Sequence, residues 1–250
     1  MSTLNELSEY FEKNLSAIDG LRPYLGVSSV VSVELNRGQV YDLMVLMPDS
    51  TFEDAFKLQF GECFVVNDKD YSPPVFTRFK SHAWLRRDFS RRLSIALWIF
   101  GRGVVVQDPG NVFGEILLEY RSLFEQQLKG IIRHKYVEFR SDRHNLRQAV
   151  YRNDSLAIDL LKSNVIKLAL EITLLAAGRP YPYKKWLPSE TGTTYGGSQL
   201  VDLCQNFTGE EDREKVISMS DDIVATIVRI LSRDESFSAS FLNEWWLHLA

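Results

Sequence analysis

From Asn153 to Leu187 the chain leaves little choice of local structure. Asn153, Asp154 and Ser155 offer side-chain oxygens that accept from the free N–H groups of a first helical turn. Leu161, Val165, Leu168, Ile172 and Leu175 then recur every three or four residues, which predicts a helix over 154–177 with one face buried. Gly178 supplies a left-handed residue that closes a helix, and Pro180 keeps it from resuming. Arg179-Pro-Tyr-Pro-Tyr-Lys-Lys-Trp-Leu187 follows, a stiff segment rich in cations and aromatic rings. A buried helix with a hard stop is a rigid support for a segment able to face a ligand.

Around this support lies the ordinary mix of a globular protein: 45% hydrophobic and 25% charged among 250 residues, room for one large or two small domains. A net charge of −4 gives no global field for nucleic acid, though a local basic patch is compatible with it. No apolar run reaches the roughly 18 residues of a membrane span, and Met1-Ser-Thr-Leu-Asn-Glu6 lacks the basic-then-apolar build of a signal peptide. Cys63 and Cys204 form neither a disulfide framework nor a zinc pattern and read as reduced core thiols. The expected compartment is the cytoplasm.

Read in order, the chain predicts a helix over 3–19, then a hairpin. Val27 to Glu34 and Gln39 to Met47 are β-branched and apolar, with Asn36-Arg-Gly38 as turn chemistry between them. A short helix over 52–60, strands at 62–66 and 75–79, a helix over 84–100 and a short strand at 104–108 complete this half. Beyond it the pattern is helical only: 111–130, 133–151, 154–177, 197–206, 210–234 and 238–249, the 210 helix opening with Thr208-x-x-Glu211 as a capping box. Ser189 to Gly197, rich in Gly, Ser and Thr, reads as a disordered loop. The expectation is an α+β protein: a small mixed sheet with flanking helices over 1–108, then an all-helical bundle over 109–250.

Asp42 is the first candidate for chemistry, a carboxylate between Tyr41 and Leu43 in an apolar strand. Charged and alone in a core it would cost several kcal/mol. It therefore either points to water at an edge, caps a neighbour, or binds a hard cation such as Mg²⁺. Positions 40, 42 and 44 share a strand face, and the neighbours there are Val40 and Met44, neither a ligand. Arg86, Arg87, Arg91, Arg92 and Arg102 read as a solvated, salt-bridged helix face or as a phosphate grip. Tyr181, Tyr183, Lys184, Lys185 and Trp186 suit stacking on a base and neutralising phosphate, or an aromatic loop over the core. The histidines at 82, 134, 144 and 248 show no ligand spacing, and Trp245-Trp246 reads as a docked tail or a homodimer contact.

The layout resembles the nucleotidyltransferase superfamily, in its two-domain bacterial form with a helical C-terminal domain. The likeness rests on Val30-Val-Ser-Val-Glu-Leu-Asn-Arg-Gly-Gln-Val-Tyr-Asp-Leu-Met-Val-Leu46, on Arg92 to Phe100 leading into Val104-Val-Val-Gln-Asp-Pro-Gly110, and on the Tyr…Lys-Trp-Leu of 179–187. It implies a nucleoside triphosphate bound in a cleft between the halves, Mg²⁺ as cofactor, and NMP transfer to a small-molecule or protein hydroxyl. A catalytically inactive binding or protein-interaction module of the same fold is the alternative. The implied site residues are Asp42 as catalytic carboxylate and, with Glu34, as metal ligand, and Ser32, Arg37, Tyr183, Lys184 and Lys185 toward the nucleotide. Such enzymes carry Gly-Ser where this chain has Val31-Ser32-Val33 or Asn36-Arg37-Gly38, and Asp-x-Asp where it has Asp42-Leu-Met44; they add a third carboxylate on a later strand. Glu34 and Glu62 are the nearest substitutes. The resemblance thus implies the fold with a reduced metal site.

Overall fold

In the computed structural model, residues 3–15, 22–33, 40–56 and 64–249 are described. They fall into two compact units, 1–124 and 125–250, with the division inside a helix.

In the first unit, α1 (Thr3–Tyr10) runs into one wide π turn (Phe11–Leu15), and α2 is a single turn (Arg22–Leu25). Strands β1 (Ser29–Val33) and β2 (Tyr41–Met47) pair antiparallel, as their β-branched and apolar runs predict. Then come α3 (Asp49–Phe56), β3 (Phe64–Asp68), β4 (Val75–Ser81), α4 (His82–Phe100) and β5 (Val104–Gln107). The sheet order is β3-β4-β2-β1-β5, with β2 and β4 parallel and the other pairs antiparallel, so it is mixed.

Strand alternation sorts the sheet into two faces. Val30, Leu43, Val45, Val75 and Phe79 point to one of them and join Leu7, Tyr10, Phe11, Leu15 and Leu25 in a single apolar cluster. The other face carries Val31, Val33, Asp42, Met44, Leu46, Phe76, Arg78 and Lys80. Helix α4 runs against β1, β2 and β4. Its exit loop closes on Val31, since a Cβ on Gly103 would come 2.6 Å from Val31 Cγ1. Ser81 caps α4 by accepting from Trp84 N, and the helix breaks at Arg92, whose backbone lies at φ −148°, ψ 54°.

Asp108, the end of the apolar strand singled out above, is a structural carboxylate. It accepts from Ser29 Oγ at 2.6 Å, Phe113 N at 3.1 Å and Gly114 N at 3.0 Å, tying β1 to the start of α5 (Val112–Arg152). Helix α5 is one continuous element of 41 residues where two were expected. Gly130 lies mid-helix with open space around it, so only its intrinsic cost of about 1 kcal/mol opposes the helix.

The second unit contains the end of α5, then α6 (Ser155–Ala176), α7 (Leu187–Thr191), α8 (Gly197–Gly209), α9 (Arg213–Leu231) and α10 (Ala239–Asn243). Helix α6 has the predicted cap, Asp154 accepting from Ala157 N, and is buried from Leu168 to Leu175 without interruption. Gly178 is left-handed at φ 70° and Arg179 N donates back to Leu174 O, which completes the stop. Two expectations fail here. The segment 189–197 is ordered rather than a disordered loop: Thr191 is fully buried and donates to Leu170 O, while Thr193 and Thr194 close on Glu190 O and Thr191 O. Its hydroxyls satisfy the backbone that a Gly-rich stretch was expected to leave to water. The cap of α9 is Asp212, accepting from Lys215 N, in place of Thr208, whose hydroxyl donates to Cys204 O within α8.

Candidate functional site

In the first unit the chemistry gathers on the sheet face opposite the α1–α2 core. Asp42 opens β2 and is 4% exposed, with Val33 of β1 and Phe76 of β4 as cross-strand partners. Met44, the next residue on its face, is paired with Arg78. The Arg78 side chain crosses diagonally, placing Nη2 3.5 Å from Asp42 Oδ1, and remains 39% exposed. A buried carboxylate is thus held by a guanidinium that still reaches solvent. Lys80 follows on the same face, with its ammonium 5.0 Å from the Trp84 ring centroid. Arg78 is thus the cation of β4 that reaches solvent beside Asp42, while Lys80 is buried.

The other expected residues separate. Ser32 is buried, but its cross-strand partner is Leu43, so it belongs to the core face, away from Asp42. Glu34 and Arg37, like Glu62 and Cys63, lie outside the described residues. Tyr183, Lys184 and Lys185 belong to the second unit. There Tyr183 is half-buried and precedes a single 3-10 turn, while Lys184 and Lys185 are exposed, with Lys185 5.4 Å from the Trp186 ring centroid. Among the arginines, Arg86 pairs with Glu119, Arg92 makes a two-pronged contact with Asp88 at 2.6 and 2.9 Å, and Arg102 stacks on Trp98. That is the salt-bridged helix face.

The magnesium expectation meets a donor set that does not suit it. Among the described residues no three His, Cys, Asp or Glu side chains come together as a metal cluster. The later strand beside β2 is β4, and it places Phe76 and Arg78 along the Asp42 face where the resemblance expects a carboxylate. Holding two divalent ions requires several oxygen ligands, and a guanidinium is not one.

The second unit holds a buried ionic cluster that the linear sequence hid. Lys135 Nζ of α5 donates to Glu171 Oε2 of α6 at 2.6 Å, and Lys167 approaches the same carboxylate at 3.9 Å. The Lys135 and Glu171 side chains are 13% and 4% exposed. Burial alone would lower the Lys135 pKa, yet the charge and hydrogen bond of Glu171 outweigh it and the net shift is upward. Tyr181 lies over this lysine, 4.8 Å from Nζ to the ring centroid, and burial pushes its phenol up as well. Asp142 is raised by burial and by Glu138 one turn away. A carboxylate inside a helical run buried from 168 to 175 needs a cation from elsewhere.

The C-terminal aromatic pair divides its roles. Tyr136 Oη and Arg140 Nη1 both donate to Leu242 O, Arg140 lies 5.6 Å from the Trp245 ring centroid, and Trp245 is buried. The tail is docked through Trp245, and Trp246 remains 52% exposed. The Cys204 thiol is buried and pushed up to about 12 by desolvation, which makes it inert. Among the described residues no helix is long and apolar enough to cross a membrane.

No family model matches the sequence, and no curated protein matches it. Among solved structures the chain is similar to a nucleotidyltransferase-like protein from Exiguobacterium sibiricum 255-15, with a TM-score of 0.51 and 11% identity over 94% of this chain and 78% of that one. At that identity the likeness speaks to architecture, and it agrees with the mixed sheet, its flanking helices and the helices that follow. The fold of this chain is α+β and nucleotidyltransferase-like.

Proposed function

We propose that this chain binds a nucleoside triphosphate on the Asp42 face of its sheet, as a nucleotide-binding member of the nucleotidyltransferase fold in which metal-dependent transfer is reduced or lost. The observation that carries this reading is the Arg78 guanidinium on β4, 39% exposed and 3.5 Å from the buried Asp42. Guanidinium and ammonium groups suit phosphate oxygens. A nucleoside triphosphate is the substrate class that the nucleotidyltransferase-like fold suggests, and the donor set argues against two-metal chemistry. In the second unit the exposed Lys184 and Lys185 beside Trp186 are further groups able to meet an anion.

Calorimetric titration of ATP into the protein in magnesium buffer is expected to give saturable binding that weakens as salt rises from about 0.05 to about 0.5 M, because the partly exposed Arg78 is screened. Pyrophosphate release should be absent. Release on adding a small-molecule or protein hydroxyl would turn the reading to live NMP transfer. Silence in the titration would overturn it.

A further inference from the structure

We infer that Arg78 supplies the positive charge at this site in place of a divalent ion, so that the triphosphate binds without magnesium; this rests on the nucleotide reading above. The register carries the argument. The face around Asp42 offers Val33, Met44 and Phe76 as cross-strand and same-strand neighbours, none with an oxygen ligand. A hard divalent cation needs about six oxygen ligands. Among the described residues of β1, β2 and β4, Asp42 is the one carboxylate on this face; Arg78 lies 3.5 Å from it, and its charge repels a second cation there.

The geometry also explains why the guanidinium is available to a ligand. Arg78 has five N–H donors. Asp42 is almost fully buried and pairs with Arg78 Nη2 across 3.5 Å, while more than a third of the Arg78 side chain faces solvent. A guanidinium paired on one side presents donors in a plane that matches two phosphate oxygens. Lys80, two residues along the same face, is buried against Trp84, so the solvent-reaching cation on this strand is Arg78. Asp42 then orients Arg78 and touches no ligand; it is a positioning residue.

The test compares ATP affinity in EDTA with that in magnesium, for the wild type and three variants, with circular dichroism to confirm folding. ATP in EDTA is expected to bind within about threefold of its affinity in magnesium. Arg78→Met should weaken it by about tenfold or more, and Arg78→Lys should restore part of the loss. Asp42→Asn should weaken ATP binding by no more than about threefold, and equally in EDTA and in magnesium, because it loosens the hold on Arg78 without removing a metal ligand. The double variant Asp42→Asn with Arg78→Met leaves no unpaired buried charge and is the variant to use should Arg78→Met alone not fold; it too should lose about tenfold. Binding only with magnesium, abolished by Asp42→Asn, would make Asp42 a metal ligand and overturn this inference while the nucleotide reading stands. Wild-type affinity in a folded Arg78→Met or double variant would also overturn it. No ATP binding in either buffer would overturn both.

Discussion

In a Glu171→Ala variant the helical unit is expected to lose about 3–5 kcal/mol of unfolding free energy, because removing one partner of a buried ion pair leaves the other charge uncompensated. Lys135 is that partner, 13% exposed and 2.6 Å from the carboxylate it would lose. Lys167 cannot substitute, since it too is drawn to Glu171. Replacing both residues, Lys135→Met with Glu171→Leu, should recover most of the loss, because well-packed apolar residues avoid the desolvation of both charges. The pH dependence has a definite sign. The Lys135 pKa is raised above 10.5, so its contribution is fully present below that value and lost as pH rises through the folded-state value. Tyr181, raised from 10.0 mainly by burial, acts in the same direction. Urea unfolding between about pH 7 and 11 should therefore show stability falling on the alkaline side, less steeply in the double variant. A loss below about 1 kcal/mol in Glu171→Ala would show that the pair is not buried as described.

The second large effect belongs to the sheet unit. Phe89→Ala is expected to destabilise it by about 3–5 kcal/mol through lost transfer energy and the cavity left behind. Phe89 is fully buried, stacked on Tyr120 with ring centroids 4.6 Å apart at 9°, and 5.7 Å from Phe100. It anchors the first half of α4, ahead of the break at Arg92, and Phe100 anchors the second. Phe89→Leu should keep most of the apolar contact and cost about half as much or less. Guanidinium unfolding followed through tryptophan fluorescence would measure both, since Trp84 and Trp98 lie on the same helix. Equal losses in the two variants would mean that the aromatic stack, rather than filled volume, sets the stability here.

What the sequence disclosed follows from which interactions are local. The β1–β2 hairpin was legible because its strands are short in contour and rich in β-branched residues, and α6 because its cap, period and stop are encoded within one segment. The joining of two expected helices into α5 was hidden because a mid-helix glycine costs only about 1 kcal/mol, which tertiary packing overrides. The order of 189–197 was hidden because Thr191 and Glu190 find their partners on α6 and at Arg179, contacts that local composition does not carry. The site shows the same division. Asp42 stood out as a carboxylate in an apolar strand, and its lack of a partner at 40 or 44 was equally visible. Its actual partner, Arg78, is 36 positions later on a strand joined to β2 in parallel, and only sheet order and register bring the two together. The resemblance puts Ser32 toward the nucleotide, where such enzymes carry Gly-Ser, while alternation places it on the face opposite Asp42, beside Leu43.

Hydrogen–deuterium exchange with and without ATP, in EDTA, tests the central claim most directly. Slower exchange confined to β2 and β4, residues 41–47 and 75–81, and lost in Arg78→Met, is the predicted result. Unchanged exchange in these strands at saturating ATP, with protection elsewhere, would contradict the account.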